Sequence, residues 1–268
     1  MKITMLGTGN ALVTEIYNTC YVITDEETNR HMLVDAGGGN TVLTRLKAAG
    51  IDWKEIRDIF VTHKHIDHIL GIVWMMRMIL QNMREGNYEG EAYIYAHDEV
   101  IAILENLAKM LLNKKDLKGL GTRLHLVTVN DGETREIIGH PFTFFDIGST
   151  KAKQYGYVME YGDGKRLTCC GEEPYCDIEE PYAQGADYLM HEAFCLYGQA
   201  DIFHPYEKHH STALDAAKLA EGLGVKNLIL YHTEEKNIAD RKELYTAEAK
   251  SVFRGNVFVP EDMEIIEL

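Results

Sequence analysis

The seven residues Thr62-His63-Lys64-His65-Ile66-Asp67-His68 constrain this chain more than any other stretch. They follow Asp58-Ile59-Phe60-Val61, which reads as a buried strand, and precede Ile69-Leu70-Gly71-Ile72-Val73-Trp74, which reads as the start of a largely buried helix. Three imidazoles and a carboxylate therefore crowd one strand-to-helix turn. Residues two apart on an extended segment point the same way, so His63 and His65 are placed to grip one metal ion, while Asp67 and His68, past the turn, face a second. Clustering imidazoles there has no structural use, because each one buried needs its own hydrogen-bond partner. The motif predicts a metal site at a strand end.

The rest of the chain repeats the device. Leu6 runs into Gly7-Thr8-Gly9-Asn10-Ala11, where two glycines let the loop pass close to another backbone or to a ligand. No third glycine opens a helix, so this is not a dinucleotide fingerprint. The segments 19–23 and 31–35 read as a hairpin ending in Asp35-Ala36-Gly37-Gly38-Gly39, and Asp35 is placed either to accept from a metal-ligating histidine or to cap the loop. Helices are expected over about 40–49, up to about Met83, and over 98–113 with Asp98 as N-cap. Strands are expected over 92–96, with His97 at its end a weaker site candidate, and over 124–129, 134–138, 142–145, 155–161 and 166–170. Apolar runs then end in ligand-capable side chains at Gly171-Glu172-Glu173, at His191-Glu192 and at Tyr231-His232, the last following a helix capped near His210-Ser211-Thr212. Several strands thus deliver polar ends to one rim, which suits a chemical site. No linker divides the chain, so a single domain over 1–268 is expected.

With 268 residues and 46% hydrophobic content, the chain can bury a large core. Its 27 basic and 42 acidic residues give a net charge of −15, which repels polyanions, so nucleic acid is not the expected partner. Lys114 to Lys118, the densest basic stretch, reads as a solvated helix end. Five cysteines without paired C-x-x-C spacing predict reduced thiols and a cytoplasmic protein. The first residues lack a signal-peptide core and Arg77 interrupts the longest apolar stretch, so no membrane association is expected.

Taken together, Leu6-Gly7-Thr8-Gly9-Asn10, Val34-Asp35-Ala36-Gly37-Gly38, the H-x-H-x-D-H element at 63–68, Gly171-Glu172, His191-Glu192-Ala193, His210-Ser211-Thr212 and Leu230-Tyr231-His232 resemble the metallo-β-lactamase superfamily and, within it, the ribonuclease Z branch. The resemblance implies an α+β fold, a four-layer αββα sandwich with a two-metal hydrolytic site on one rim. It implies His63 and His65 on the first metal, Asp67, His68 and His232 on the second, and Glu172 where the family carries a bridging aspartate. His210 matches a histidine placed to protonate the leaving group, and with Asp67 forms the expected catalytic pair. Two divalent ions are expected, zinc foremost, with manganese or iron as alternatives. Ser211 and Thr212 offer either backbone N–H groups to an anionic substrate or plain helix capping.

Three departures qualify the resemblance. No histidine precedes Tyr155-Gly156-Tyr157, which leaves the first metal site weak or empty, with Asp146, His204 or His209 as substitutes. Glu172 replaces a shorter aspartate. Only 13 residues separate Tyr157 from Gly171, so the tRNA-gripping arm of the long-arm enzymes is absent. The expectation is a metallo-hydrolase of a small phosphodiester, a cyclic nucleotide or similar. The alternatives are tRNA 3′-processing, lactone or thioester hydrolysis, and a degenerate metal-binding protein. Family habit adds a homodimer.

Overall fold

The computed structural model describes residues 1–268 throughout. Two seven-stranded sheets face each other. The first is built from β1 (Lys2–Gly7), β2 (Cys20–Asp25), β3 (Arg30–Val34), β4 (Ile56–Phe60), β5 (Ala92–Ala96), β6 (Leu124–Thr128) and β14 (Ile265–Glu267), in the order β14-β1-β2-β3-β4-β5-β6. The second contains β7 (Thr134–Ile137), β8 (His140–Asp146), β9 (Tyr155–Tyr161), β10 (Lys165–Cys169), β11 (Tyr188–Glu192), β12 (Asn227–Tyr231) and β13 (Asn256–Phe258), in the order β13-β12-β11-β10-β9-β8-β7. Each sheet is antiparallel at one end and parallel from β3 to β6 or from β10 to β13.

Parallel neighbours need crossovers, and these supply the outer layers. Helices α1 (Thr41–Ala48), α2 (Ile66–Glu85) and α3 (Asp98–Leu111) cover the first sheet, and α6 (Ala213–Gly222) and α7 (Arg241–Lys250) the second, with the short α4 (Glu180–Ala183) and α5 (Ala200–Phe203) between. Both sheets are thus covered on both faces, which is why β2 is buried at every position and reads as an apolar run from Cys20 to Ile23. Ile3, Phe60, Phe144, Tyr157 and Ile229 fill the space between the sheets, and Met75, Met76 and Met83 sit in the core between α2 and the first sheet, as expected. The layers are those of the αββα sandwich.

Two glycines set the geometry around the motif. A Cβ on Gly71 would lie 1.9 Å from the Ala36 carbonyl oxygen, so only glycine lets α2 rest on the loop after β3. There Gly71 N donates to Gly37 O and Ala36 N to His68 O. A Cβ on Gly7 would lie 2.2 Å from Asn18 O, which confirms the close backbone passage read from that loop. Asp98 is not the cap of α3: His97 holds that position and the Asp98 carboxylate binds Lys153 Nζ at 2.7 Å. No helix is long and apolar enough to cross a membrane.

Candidate metal centre

The motif leaves β4 extended and turns into α2 at His65, so His63 is buried, His65 is exposed at the cap, and Asp67 and His68 are buried in the first helical turn. Across from them, Glu172 follows β10 and His232 follows β12, both at the carboxyl ends of parallel strands. The loop after β1 is stitched to the same rim, since Thr233 N donates to Thr8 O and Asn10 N to Thr233 O. All six expected ligands therefore meet on one edge of the sandwich.

Glu172 is central. Its carboxylate lies 2.9 Å from His68 Nε2, 3.2 Å from His232 Nε2 and 3.8 Å from His63 Nε2. His63 Nε2 and His65 Nδ1 are 2.8 Å apart, and Asp67 reaches within 3.2 Å of His68 Nε2. His63, His68 and Glu172 form one group that can hold an ion, and Asp67, His68 and His232 a second. Behind them Asp35 accepts from Thr62 N at 2.9 Å and Thr62 Oγ1 at 2.7 Å, and meets His68 Nδ1 at 2.8 Å. Asp35 and His232 both adopt left-handed backbone, with φ of 55° and 57°.

The electrostatics ask for cations. Burial alone would discharge His68, but Glu172 and Asp35 outweigh it and hold its pKa well above the ordinary imidazole value. Burial likewise opposes ionisation of Asp67 and Glu172, yet neighbouring imidazoles keep both carboxyls below their usual range. His63, buried beside other imidazoles, is pushed well below the ordinary value and is a neutral donor. Three carboxylates thus converge on one imidazolium. His68 Nε2, within 3.2 Å of two of them, makes a hydrogen bond to neither. Buried charge of this kind is stable only when paired, and oxygen and imidazole donors suit divalent ions.

His210 faces the same cleft with its ring centroid 5.3 Å from that of His232, and Glu192, His210 and His232 form a third group that could hold an ion. The His210 Nδ1 contacts the fully buried Glu192 at 2.5 Å, its ring stacks on Phe194 with centroids 4.7 Å apart, and its Nε2 lies 3.3 Å from Lys151 Nζ. Burial and then Lys151 pull His210 down to about 4, while burial pushes Glu192 up to about 8. These residues line one cleft of about 270 Å³ reached also by Asn10, Lys151, Gln154 and Lys208.

Some expectations are corrected. Ser211 N donates to Glu192 at 2.7 Å, while Thr212 and Asp215 form a reciprocal cap on α6, so neither N–H faces the cleft. Asp146 accepts from Gly148 N in its own loop, and His204 and His209 lie exposed on a separate segment, so none replaces the missing histidine. His97 is buried against Tyr155 and does not line the cleft. Glu192, Gln154, Lys151 and Lys208 had no role assigned. Glu192 ends an apolar strand as the ligand-bearing segments do, and Gln154 is the last residue of the 146–154 stretch in which the histidine was sought.

Comparison with known proteins agrees with the fold. The ribonuclease Z of Natronomonas pharaonis is 26% identical over 315 aligned positions, covering all of this chain and 98% of that one. The metallo-β-lactamase fold protein YhfI from Bacillus subtilis superposes with a TM-score of 0.77 at 20% identity, covering 99% of this chain and 98% of YhfI. A diphosphatase of the PhnP family superposes with a TM-score of 0.73 at 18% identity, covering 99% of this chain and 96% of its own. The expectation against nucleic acid finds no support in a relative that is a ribonuclease. A family model described as anti-Pycsar protein Apyc1 matches residues 1–246. The chain therefore belongs to the anti-Pycsar protein Apyc1 family, in the ribonuclease Z-like branch of the metallo-β-lactamase superfamily.

Proposed function

We propose that this metallo-hydrolase cleaves a small phosphodiester, such as a cyclic nucleotide, within one domain spanning 1–268. The observation that carries the reading is that one cleft is lined both by the expected ligands His63, His65, Asp67, Glu172 and His232 and by His210, Lys151 and Lys208. In a chain of net charge −15, two lysines at this spot favour an anionic ester over a neutral lactone. The volume of about 270 Å³ suits a compact substrate.

In this reading His63 and His65 would hold one divalent ion and Asp67, His68 and His232 the other, with Glu172 as a further ligand. Such ions supply Lewis acidity and a water acidified to near neutral pH. Asp35 fixes the His68 ring by accepting a hydrogen bond from its Nδ1–H. Lys151 and Lys208 draw the phosphodiester into the cleft and orient it. Binding of the anionic ester offsets Lys151 and recharges His210, which, positioned by Glu192 and by the Phe194 ring, then delivers a proton from Nε2 to the departing alkoxide. Five free cysteines favour a reducing cytoplasm.

A second reading, tRNA 3′-processing, draws on the ribonuclease Z relative. The alignment of 315 positions against 268 residues weighs against it, because that relative carries segments this chain lacks. The test is turnover of bis(p-nitrophenyl) phosphate, a cyclic nucleotide, a lactone and a pre-tRNA at equal metal loading. Phosphodiester turnover is expected; cleavage of pre-tRNA or lactone alone overturns the assignment.

A further inference from the structure

The loop between β8 and β9 is closed by Ile147 N donating to Gln154 O at 3.1 Å, and Tyr155 N donates to Thr62 O at 3.1 Å. Gln154 is therefore laid directly beside the Thr62-His63 backbone. Its side chain is 2% exposed and lines the metal cleft. Its Nε2 is buried with no hydrogen-bond partner. Gly171, the residue before Glu172, gives it room: a Cβ there would come within 2.9 Å of Nε2 and 3.2 Å of Cδ.

A buried carboxamide with nothing to bond destabilises the fold, whereas a leucine of similar size would fill the same space at no such cost. The amide is accounted for by a partner that arrives with the ligand. Oxygen and nitrogen of a glutamine amide exchange places by a turn about one bond, so the oxygen is available to the cleft. A carboxamide oxygen is a neutral, hard donor suited to divalent cations.

We propose that Gln154 supplies the missing donor of the first metal site, its Oε1 joining His63, His65 and Glu172. This rests on the two-ion reading of the preceding section. A neutral oxygen in place of an imidazole makes the first site weaker for zinc, and more tolerant of manganese, than a site with a third histidine.

The test is titration of metal-free protein with Zn²⁺ and Mn²⁺ by calorimetry, with elemental analysis of the product. Q154L should weaken one bound ion by about tenfold or more while melting within a few degrees of wild type. Q154H should tighten Zn²⁺ at that ion by about tenfold or more and raise the ratio of Zn²⁺ to Mn²⁺ affinity. Unchanged affinities in Q154L for every ion that wild type binds overturn the proposal while leaving the hydrolase reading intact. A wild type that binds no ion overturns that reading, and the role of Gln154 with it. Should Q154L unfold, Q154H alone decides, and no gain in Zn²⁺ affinity counts against the proposal.

Discussion

Replacing Asp35 by asparagine isolates the carboxylate's contribution to the metal centre. Asparagine tolerates the left-handed backbone that Asp35 adopts at φ 55°, so the loop keeps its shape. The carboxylate accepts from Thr62 N and Thr62 Oγ1, and holds His68 Nδ1 at 2.8 Å. An amide presents one oxygen and one NH₂. With the oxygen toward Thr62 N, the NH₂ faces His68 Nδ1; turned over, it faces the Thr62 N–H. In the first orientation His68 moves its proton to Nε2, the nitrogen that faces Glu172 and Asp67, and is lost as a donor to an ion.

A hydrogen bond to a charged group is worth about 1.5–3 kcal/mol, and about 1.4 kcal/mol is tenfold in affinity. Asp35→Asn should therefore weaken the more tightly held ion by about 10–100-fold, read by competition with a chelator. The metal-free protein should lose less stability than it would in Asp35→Ala, where three donors lose their acceptor at about 1–3 kcal/mol each. An Asp35→Asn protein whose metal affinities stay within about twofold of wild type would refute the argument that Asp35 sets the His68 tautomer.

Three further outcomes follow from the geometry. Asp67→Ala should remove one ion and turnover while leaving the fold largely intact, with the metal-free protein melting somewhat below wild type because the Asp67 carboxylate is stabilised by His68 in the folded state; a metal-free variant melting above wild type would contradict the charge argument. His210→Ala should slow alkyl phosphodiesters by about 10²–10⁴ but p-nitrophenyl esters far less, and equal losses on both would exclude a proton-donor role. Glu179 is fully buried and its carboxyl is pushed by burial from 4.5 up to about 8, so the folded state keeps a proton that the unfolded chain releases. Its cost is absent below about pH 4.5, grows as pH rises to about 8 and is then constant, so Glu179→Gln should raise the melting temperature at pH 9 by several degrees and by little at pH 4.5; the same gain at both values would rule the titration out.

What the sequence revealed and what it hid have one physical cause. Strands buried on both faces read as apolar runs, so the polar residues ending β4, β10, β11 and β12 stood out, and the expected ligands meet on that rim. Helix α7, Arg-Lys-Glu-Leu-Tyr-Thr-Ala-Glu-Ala-Lys, shows only a thin apolar stripe, because its buried face is Tyr245 and Ala249 continued by a buried arginine. Arg241 Nη1 donates to Thr233 Oγ1 at 2.8 Å and to Thr8 Oγ1 at 3.1 Å, the latter across 233 positions of sequence. Strands β13 and β14, three residues each, are too short to carry a period and are defined by partners far away in the chain.

The same logic explains why the site was read only in half. The ligand candidates of the H-x-H-x-D-H element carry their geometry in local spacing, since a strand end and one helical turn fix where four side chains point. Glu192 and Gln154 carry none. Glu192 matters because the chain returns at residues 210–211, so that one carboxylate meets His210 and the Ser211 amide and comes within 3.8 Å of His232 Nδ1. Gln154 matters because Tyr155 pairs with Thr62, which no periodicity in the 147–154 loop foretells. Local pattern thus specifies four of the cation ligands, whereas Gln154 and the Glu192–His210 pair are in place only once both sheets have closed. Substitutions at Glu192 and His210 should accordingly shift leaving-group dependence more than metal content, and those at the ligands and Gln154 the reverse.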